Sequence, residues 1–273
     1  MFTLVPGSAS GIDAFLRWLA PRDIVHIRPD FHLTESIARR DGRNYLGLLR
    51  SPTTDVRELI RPLCGLDRVL VFSSPSNPFG EIVEPATIVD IANLWRGPVL
   101  VDGAYAEFAY DDVIEFVREC PNLFLSRTFS KAWGLADLRI GFVVGQGEAI
   151  EQLSGFTRLA VPGTVAKQTA QTLLANPQAV AASILEMRDM REVMLGELAS
   201  RGLQPTPSEA NFVSVMHPAS AELAKYLKAR SIVVKQLASL PTWPVDWPDG
   251  LRIAVCPASV LDELLAGIDS WSG

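Results

Sequence analysis

The chain has 273 residues, 48% of them hydrophobic and 21% charged, with a net charge of −6, which is enough length for one large domain and a smaller one. The sequence contains no block rich in lysine or arginine, which argues against nucleic-acid binding. Its three scattered cysteines argue against a zinc site or a disulfide framework. Because the sequence also begins with neither a basic leader segment nor a membrane-spanning apolar stretch, we expect a cytoplasmic protein without metal, membrane or nucleic-acid partners.

The first predicted elements are a strand at residues 2–5 and a helix whose apolar positions recur from Ile12 onwards. Between them lies a turn of small residues, 6–11. A turn that enters a helix leaves backbone N–H groups unpaired, and these can bind phosphate. Such turns also serve as plain helix caps, so both interpretations stay open for this segment.

Further along the chain, four apolar runs predict buried strands, and each leads into a side chain with distinctive chemistry. These pairs are Phe31 after 24–27, Asn77 after 68–72, Asp102 at the end of 98–102, and Lys131 after 123–126. A fifth run, 140–144, begins directly after Arg139. The alternation of strands and helices predicts an α/β fold, a mainly parallel sheet with helices on both faces, and ligands bind such sheets at the carboxyl ends of the strands.

The second half of the chain turns helical after Gly145 and then predicts a small α+β domain. Its elements are helices at 165–175 and 179–201, strands at 211–215, 232–234 and 251–255, and a helix at about 221–230. We expect a large domain over 1–190 and a small domain over 191–273. Arg252 lies in an apolar strand, where a guanidinium is costly unless a ligand or an acidic side chain pairs with it.

The segment 127–141, R-T-F-S-K-A-W-G-L-A-D-L-R-I-G, carries the strongest motif. It resembles the lysine segment of the pyridoxal-phosphate aminotransferases, in particular the histidinol-phosphate aminotransferase branch. Other motifs resemble the same family in the same order, namely P-G-S-A-S-G at 6–11, S-S-P-S-N-P-F-G at 73–80, V-D-G-A-Y-A-E-F at 101–108, S-E-A-N-F at 208–212 and G-L-R-I at 250–253. A single Ser-Lys pair would carry little weight, whereas six motifs in family order identify the family.

The resemblance implies an aspartate-aminotransferase-like large domain that binds pyridoxal 5′-phosphate, and it assigns a role to each motif residue. Lys131 would hold the cofactor aldehyde as a Schiff base and move the substrate proton, and Asp102 would pair with the ring nitrogen. The phosphate contacts would be Ser8, Ala9, Thr128, Ser130 and Arg139. Phe31 would stack on the ring, Asn77 and Tyr105 would contact its phenolic oxygen, and Arg252 would bind the substrate carboxylate. Gly103 departs from the glutamate that the family usually has there.

The implied activity is transamination between an amino acid or amino-phosphate and a keto-acid acceptor, in a homodimer. A threonine-phosphate decarboxylase of cobalamin synthesis is an alternative, because it would share every cofactor residue. A third possibility is a cofactor-binding homologue of low activity, since Met1 falls where the family's large domain begins and the usual N-terminal segment would be missing.

Overall fold

The computed structural model describes residues 1–51, 54–157 and 161–271, and their main feature is a sheet of seven strands. In chain order the strands are β1 (Phe2–Val5), β2 (Ile24–Arg28), β3 (Tyr45–Leu49), β4 (Val69–Ser73), β5 (Val99–Asp102), β6 (Leu123–Thr128) and β7 (Gly141–Val144). They are arranged in the order β1-β7-β6-β5-β4-β2-β3. Strands β2 to β6 pair in parallel, whereas β7 is antiparallel to both of its neighbours. The predicted mainly parallel α/β sheet is confirmed.

Helices cover both faces of this sheet. One face packs against α1 (Gly7–Trp18), α2 (Leu33–Arg40) and α5 (Gly147–Thr157), and the other packs against α3 (Val56–Ile60) and α4 (Pro85–Leu94). In β4, Val69 and Val71 pack in the core under α1, α2 and α5, whereas Leu70 and Phe72 pack in the core under α3 and α4. A strand buried on both faces needs apolar residues at every position, which explains its continuous run.

A second sheet follows in the chain, and all of its pairings are antiparallel. Its strands are β8 (Gln204–Pro205), β9 (Phe212–Met216), β10 (Lys235–Gln236) and β11 (Gly250–Ala254), in the order β10-β11-β9-β8. The helices of this half are α6 (Thr164–Ala175), α7 (Gln178–Ser200), α8 (Ser220–Lys228) and α9 (Ala258–Asp269). The last three share a core with the second sheet. The proposed boundary at residue 190 falls inside α7, and the division into two domains stays a prediction.

Two predicted elements differ from the structure. Helix α1 begins at Gly7, so most of the predicted turn is its first turn, which carries Ser8 and Ala9. The apolar pattern begins later than the helix because the residues at 8–10 are small and only partly buried. The predicted strand at 232–234 is wrong, since the strand β10 begins at Lys235. Val233 there is 78% exposed, so the apolar composition of that run does not reflect a buried strand.

The chain topology brings six segments to one edge of the large sheet. The carboxyl ends of β2, β4, β5 and β6 meet there, as do the first turn of α1 and the start of β7. Among the helices of the described residues, none is long and apolar enough to cross a membrane.

Candidate active site

An open cleft of about 590 Å³ lies at this edge of the large sheet. Every residue that the sequence predicted for the site lines it: Ser8, Ala9, Phe31, Asn77, Asp102, Tyr105, Thr128, Ser130, Lys131, Arg139 and Arg252. Ten of these come from the segments around the large sheet, and Arg252 comes from β11 of the second sheet. The structure therefore brings the predicted residues together, while their roles stay predictions.

Lys131 lies three residues after the end of β6, with its Nζ 5.2 Å from the centre of the Tyr105 ring. Burial is the largest of the effects that lower the pKa of Lys131, followed by the positive charge of Arg252, while the charge of Asp102 acts in the opposite direction. A larger fraction of this amine is therefore unprotonated at neutral pH than of an exposed lysine. An unprotonated amine is the form that can attack an aldehyde.

Asp102 ends β5, and its side chain is buried. Burial, followed by the negative charge of Asp30, raises the pKa of Asp102 to about 7. Its Oδ1 is buried and accepts no hydrogen bond from any residue that the structure describes. Since buried polar atoms normally have a partner, this oxygen is suited to a ligand that brings a donor, and a protonated ring nitrogen meets that requirement.

Three side chains beside the first turn of α1 form a cluster suited to phosphate. Arg139 Nη1 donates to Ser130 Oγ at 3.4 Å, and Thr128 Oγ1 lies 3.0 Å from the same oxygen. A Cβ atom placed on Gly7 would lie 2.7 Å from Arg139 Nη2, so the helix start and the guanidinium are in close contact. Helix N-termini and guanidinium groups both favour phosphate oxygens.

Arg252 contacts the large-sheet side of the cleft directly. Its Nη1 donates to Asn77 Oδ1 at 2.6 Å, and its guanidinium lies 4.9 Å from the centre of the Phe212 ring. The Tyr105 ring meets the same Phe212 ring edge-on at 5.1 Å, and burial raises the pKa of Tyr105, which keeps its hydroxyl protonated as a donor. No other hydrogen bond of the Arg252 guanidinium occurs within the described ranges, so its remaining N–H groups can bind a carboxylate.

The sequence did not predict several residues of the cleft. These are His32, Ser73, Ala104, Lys235 and the segment 239–241. Ser73 and Ala104 lie within quoted motifs, so their position could have been found. Lys235 and 239–241 reach the cleft through the pairing of β10 with β11, where Lys235 lies opposite Arg252. Cross-strand pairing of this kind has no local sequence signal.

Comparison with known proteins places these observations in a family. A model of the aminotransferase class I and II family matches residues 6–268. Histidinol-phosphate aminotransferase of Rhodopirellula baltica is 31% identical over 204 residues, which are 74% of this chain and 55% of that protein. The Sinorhizobium fredii protein of the same name is 28% identical over 262 residues, 94% of this chain and 70% of that protein. The chain thus spans only part of the length of the curated relatives that it matches.

The fold is also shared with solved structures. The histidinol-phosphate aminotransferase of Sinorhizobium meliloti, solved in complex with pyridoxal-5′-phosphate, matches with a TM-score of 0.83 at 22% identity. The match covers 99% of this chain and 77% of that one. At this level of identity, the likeness supports the fold of the present chain.

Proposed function

We propose that this chain, which belongs to the aminotransferase class I and II family, is a pyridoxal-phosphate-dependent aminotransferase for an amino acid or amino-phosphate substrate. One observation carries the proposal. A buried carboxyl oxygen, Asp102 Oδ1, accepts no hydrogen bond from the described residues and belongs to the same cleft as Lys131, whose pKa burial lowers. An acid for the ring nitrogen and an amine for the aldehyde are the two groups that such an enzyme requires at its cofactor.

The residues of the cleft fit pyridoxal phosphate. Ser8 and Ala9, at the start of α1, would hold the phosphate together with Thr128, Ser130 and Arg139. Asn77 and Tyr105 would donate to the phenolic oxygen, and Phe31 would lie on the ring. When bound, the cofactor supplies an electron sink for the negative charge that develops at the substrate Cα.

Lys131 would have two tasks at its Nζ atom. It would attach the cofactor, and once displaced by the substrate amine it would remove the proton from Cα and deliver it to the C4′ carbon of the cofactor. A lowered pKa suits both tasks, because the amine must accept a proton near neutral pH. Tyr105, 5.2 Å away, helps to confine this amine to the cleft.

Arg252 would bind the α-carboxylate of the substrate through two parallel hydrogen bonds. Its bond to Asn77 holds the guanidinium in the cleft, and the Phe212 ring covers one side. The substrate would therefore lie between a residue of the second sheet and the cofactor residues of the large sheet. This arrangement supports the proposed division into domains at 1–190 and 191–273.

Transamination is preferred over the threonine-phosphate decarboxylase alternative because the curated relatives described above are named as aminotransferases.

We further propose a keto acid as the amino acceptor, a homodimer and a cytoplasmic location. Sedimentation at several protein concentrations tests the dimer, and a monomer at every concentration would contradict it.

The activity is tested with purified protein and added pyridoxal phosphate. We expect a yellow complex whose absorbance changes to that of the amine form of the cofactor when the right amino acid is added. Release of the matching keto acid supports transamination, whereas release of carbon dioxide with an unchanged amine supports decarboxylation. If no yellow complex forms, the proposed function is wrong.

A further inference from the structure

Asp30 is a buried carboxylate in the loop that joins β2 to α2, directly before Phe31. Its side chain accepts a hydrogen bond from the Phe31 backbone N–H at 2.7 Å and from Ser73 Oγ, which lies 2.6 and 2.8 Å from its two oxygens. The residue is 7% exposed. No lysine or arginine forms a salt bridge with it within 1–51, 54–157 and 161–271. The Asp30 carboxylate is thus buried and held by hydrogen bonds, with no lysine or arginine paired to it among the described residues.

A histidine and a tyrosine extend this network behind the cleft. His26 is buried in β2, its Nε2 lies 3.5 Å from Asp30 Oδ2, and its Nδ1 lies 2.9 Å from the Tyr45 hydroxyl. Burial raises the pKa of Tyr45, so its hydroxyl keeps its proton and can donate to Nδ1. A neutral imidazole with its hydrogen on Nε2 is compatible with both contacts, because its Nδ1 can then accept from Tyr45. In that tautomer His26 adds no positive charge beside Asp30.

The sheet places this charge next to Asp102. Ser73, which donates to Asp30, is the register partner of Asp102 across β4 and β5, and neighbouring strands are about 4.8 Å apart. Two other charged groups act on Asp102, namely Lys131 and Arg127. Both are positive and favour its ionised form, whereas Asp30 favours its protonated form.

We propose that Asp30 is a positioning residue of the cleft with two roles. Its buried negative charge keeps a proton at Asp102, where the proton is available to the ring nitrogen of the cofactor. Its hydrogen bond to the Phe31 main chain holds the Phe31 ring in place. The inference rests on the proposed function, because it concerns the group that Asp102 would meet. Asp30 would thus be a second carboxylate that acts on the cofactor site beside Asp102, although it does not line the cleft itself.

The replacement Asp30→Asn removes the charge and retains the shape. Asparagine Oδ1 can still accept from the Phe31 N–H, and the Ser73 hydroxyl can rotate to accept from the new amide group. His26 can adopt its other tautomer, with Nδ1 donating to the Tyr45 oxygen. The matched control is Ser73→Ala, which removes a hydrogen bond to Asp30 and leaves the charge in place. Circular dichroism checks that both variants are folded.

The first measurement uses the cofactor-free protein with ¹³C-labelled aspartate carboxyl groups. NMR follows the titration of Asp102, whose resonance is identified by its absence in Asp102→Asn. We expect the midpoint of Asp102 to fall by about one pH unit in Asp30→Asn, a common size for the effect of a neighbouring charge on a carboxyl group. In Ser73→Ala we expect a clearly smaller shift. An unchanged midpoint in Asp30→Asn, or an equal shift in both variants, would overturn the inference.

A second variant, Asp30→Ser, removes the same charge and keeps the test possible if Asp30→Asn fails to fold. In Asp30→Ser we expect the midpoint of Asp102 to fall as it does in Asp30→Asn. An unchanged midpoint in this variant would likewise overturn the inference.

The second measurement uses pyridoxal phosphate labelled with ¹⁵N in the ring. We expect the ring nitrogen to keep its proton to a higher pH in the wild-type complex than in Asp30→Asn, and an identical pH dependence would overturn the inference. Failure of the proposed function has a different signature: the wild-type protein then binds no cofactor, while the carboxyl titration still reports on Asp30.

Discussion

Arg252 Nη1 donates a 2.6 Å hydrogen bond to Asn77 Oδ1, which joins β11 of the second sheet to the loop after β4 across 175 positions of sequence. The bond lies within the cleft, because both residues line it. The candidate substrate residue and a candidate cofactor residue are therefore linked directly. The bond fixes the position of the Arg252 guanidinium relative to the candidate cofactor residues.

Replacing Lys131 by alanine should abolish covalent attachment of pyridoxal phosphate. The pKa of Lys131 is lowered, chiefly by burial, so its amine reacts at neutral pH, and no other group at this position can replace it. Borohydride reduction followed by mass spectrometry measures the adduct. Lys235→Ala is the matched control, since Lys235 lines the same cleft. A stable adduct in Lys131→Ala, or its loss in Lys235→Ala, would contradict the assignment.

Asp102→Asn should leave much of the cofactor bound while slowing removal of the Cα proton. An amide cannot hold the ring nitrogen in its charged form, so we expect a loss of at least about 10²-fold in rate, close to 3 kcal/mol in the barrier. Single-turnover absorbance changes measure that step, and a cofactor titration measures binding. Turnover near the wild-type rate would show that the charge of the ring nitrogen does not depend on Asp102.

The same replacement should change the pH dependence of stability in the cofactor-free protein. The pKa of Asp102 is about 7 in the folded chain, against an ordinary value of 3.8, and burial is the main cause. Between these values the folded state binds the additional proton, so stability falls as pH rises through this range. Asp102→Asn should thus unfold at a higher temperature than wild type at about pH 8, with a smaller difference at about pH 5. Equal differences at both pH values would contradict the shift.

The sequence predicted most of the large sheet because its strands are buried on both faces and their apolar runs are continuous. The motif residues follow those strands, and the crossover topology brings strand ends to one edge, so Asn77, Asp102 and Lys131 could be placed in one site. The start of α1 was predicted too late, because the residues before Ile12 are small and carry no apolar pattern.

Other features of the site depend on contacts that have no local signal. Lys235 reaches the cleft because β10 pairs with β11, and a two-residue strand is too short to show a period. Asp30 could be seen as the residue before Phe31, but its burial and its bond to Ser73 result from the adjacency of β2 and β4. Such tertiary relationships appear only when the sheet is assembled.

Arg252→Lys should weaken substrate binding and leave cofactor affinity nearly unchanged. Lysine keeps the positive charge but loses the two parallel N–H groups that match a carboxylate, which costs about 1.5–3 kcal/mol, or roughly 10- to 100-fold in affinity. Steady-state kinetics with a cofactor titration separate the two effects. Arg201→Lys serves as the control, because Arg201 pairs with Asp269 and Glu197 and does not line the cleft. An equal loss of substrate and cofactor affinity would indicate a structural role.

Gly7→Ala should weaken binding of both pyridoxal phosphate and inorganic phosphate. Gly7 has a φ of +76°, and its added Cβ would lie 2.7 Å from Arg139 Nη2, so the guanidinium must move away from the start of α1. We expect about a tenfold loss of affinity, or about 1.4 kcal/mol, measured by calorimetry with each ligand. Gly42→Ala is the matched control, because Gly42 has a φ of +61° and no atom within 4 Å of its added Cβ. Both variants should lose about 1 kcal/mol of stability from the positive φ, but only Gly7→Ala should lose affinity. Equal affinities in the two variants would show that Arg139 and the helix start do not share a phosphate.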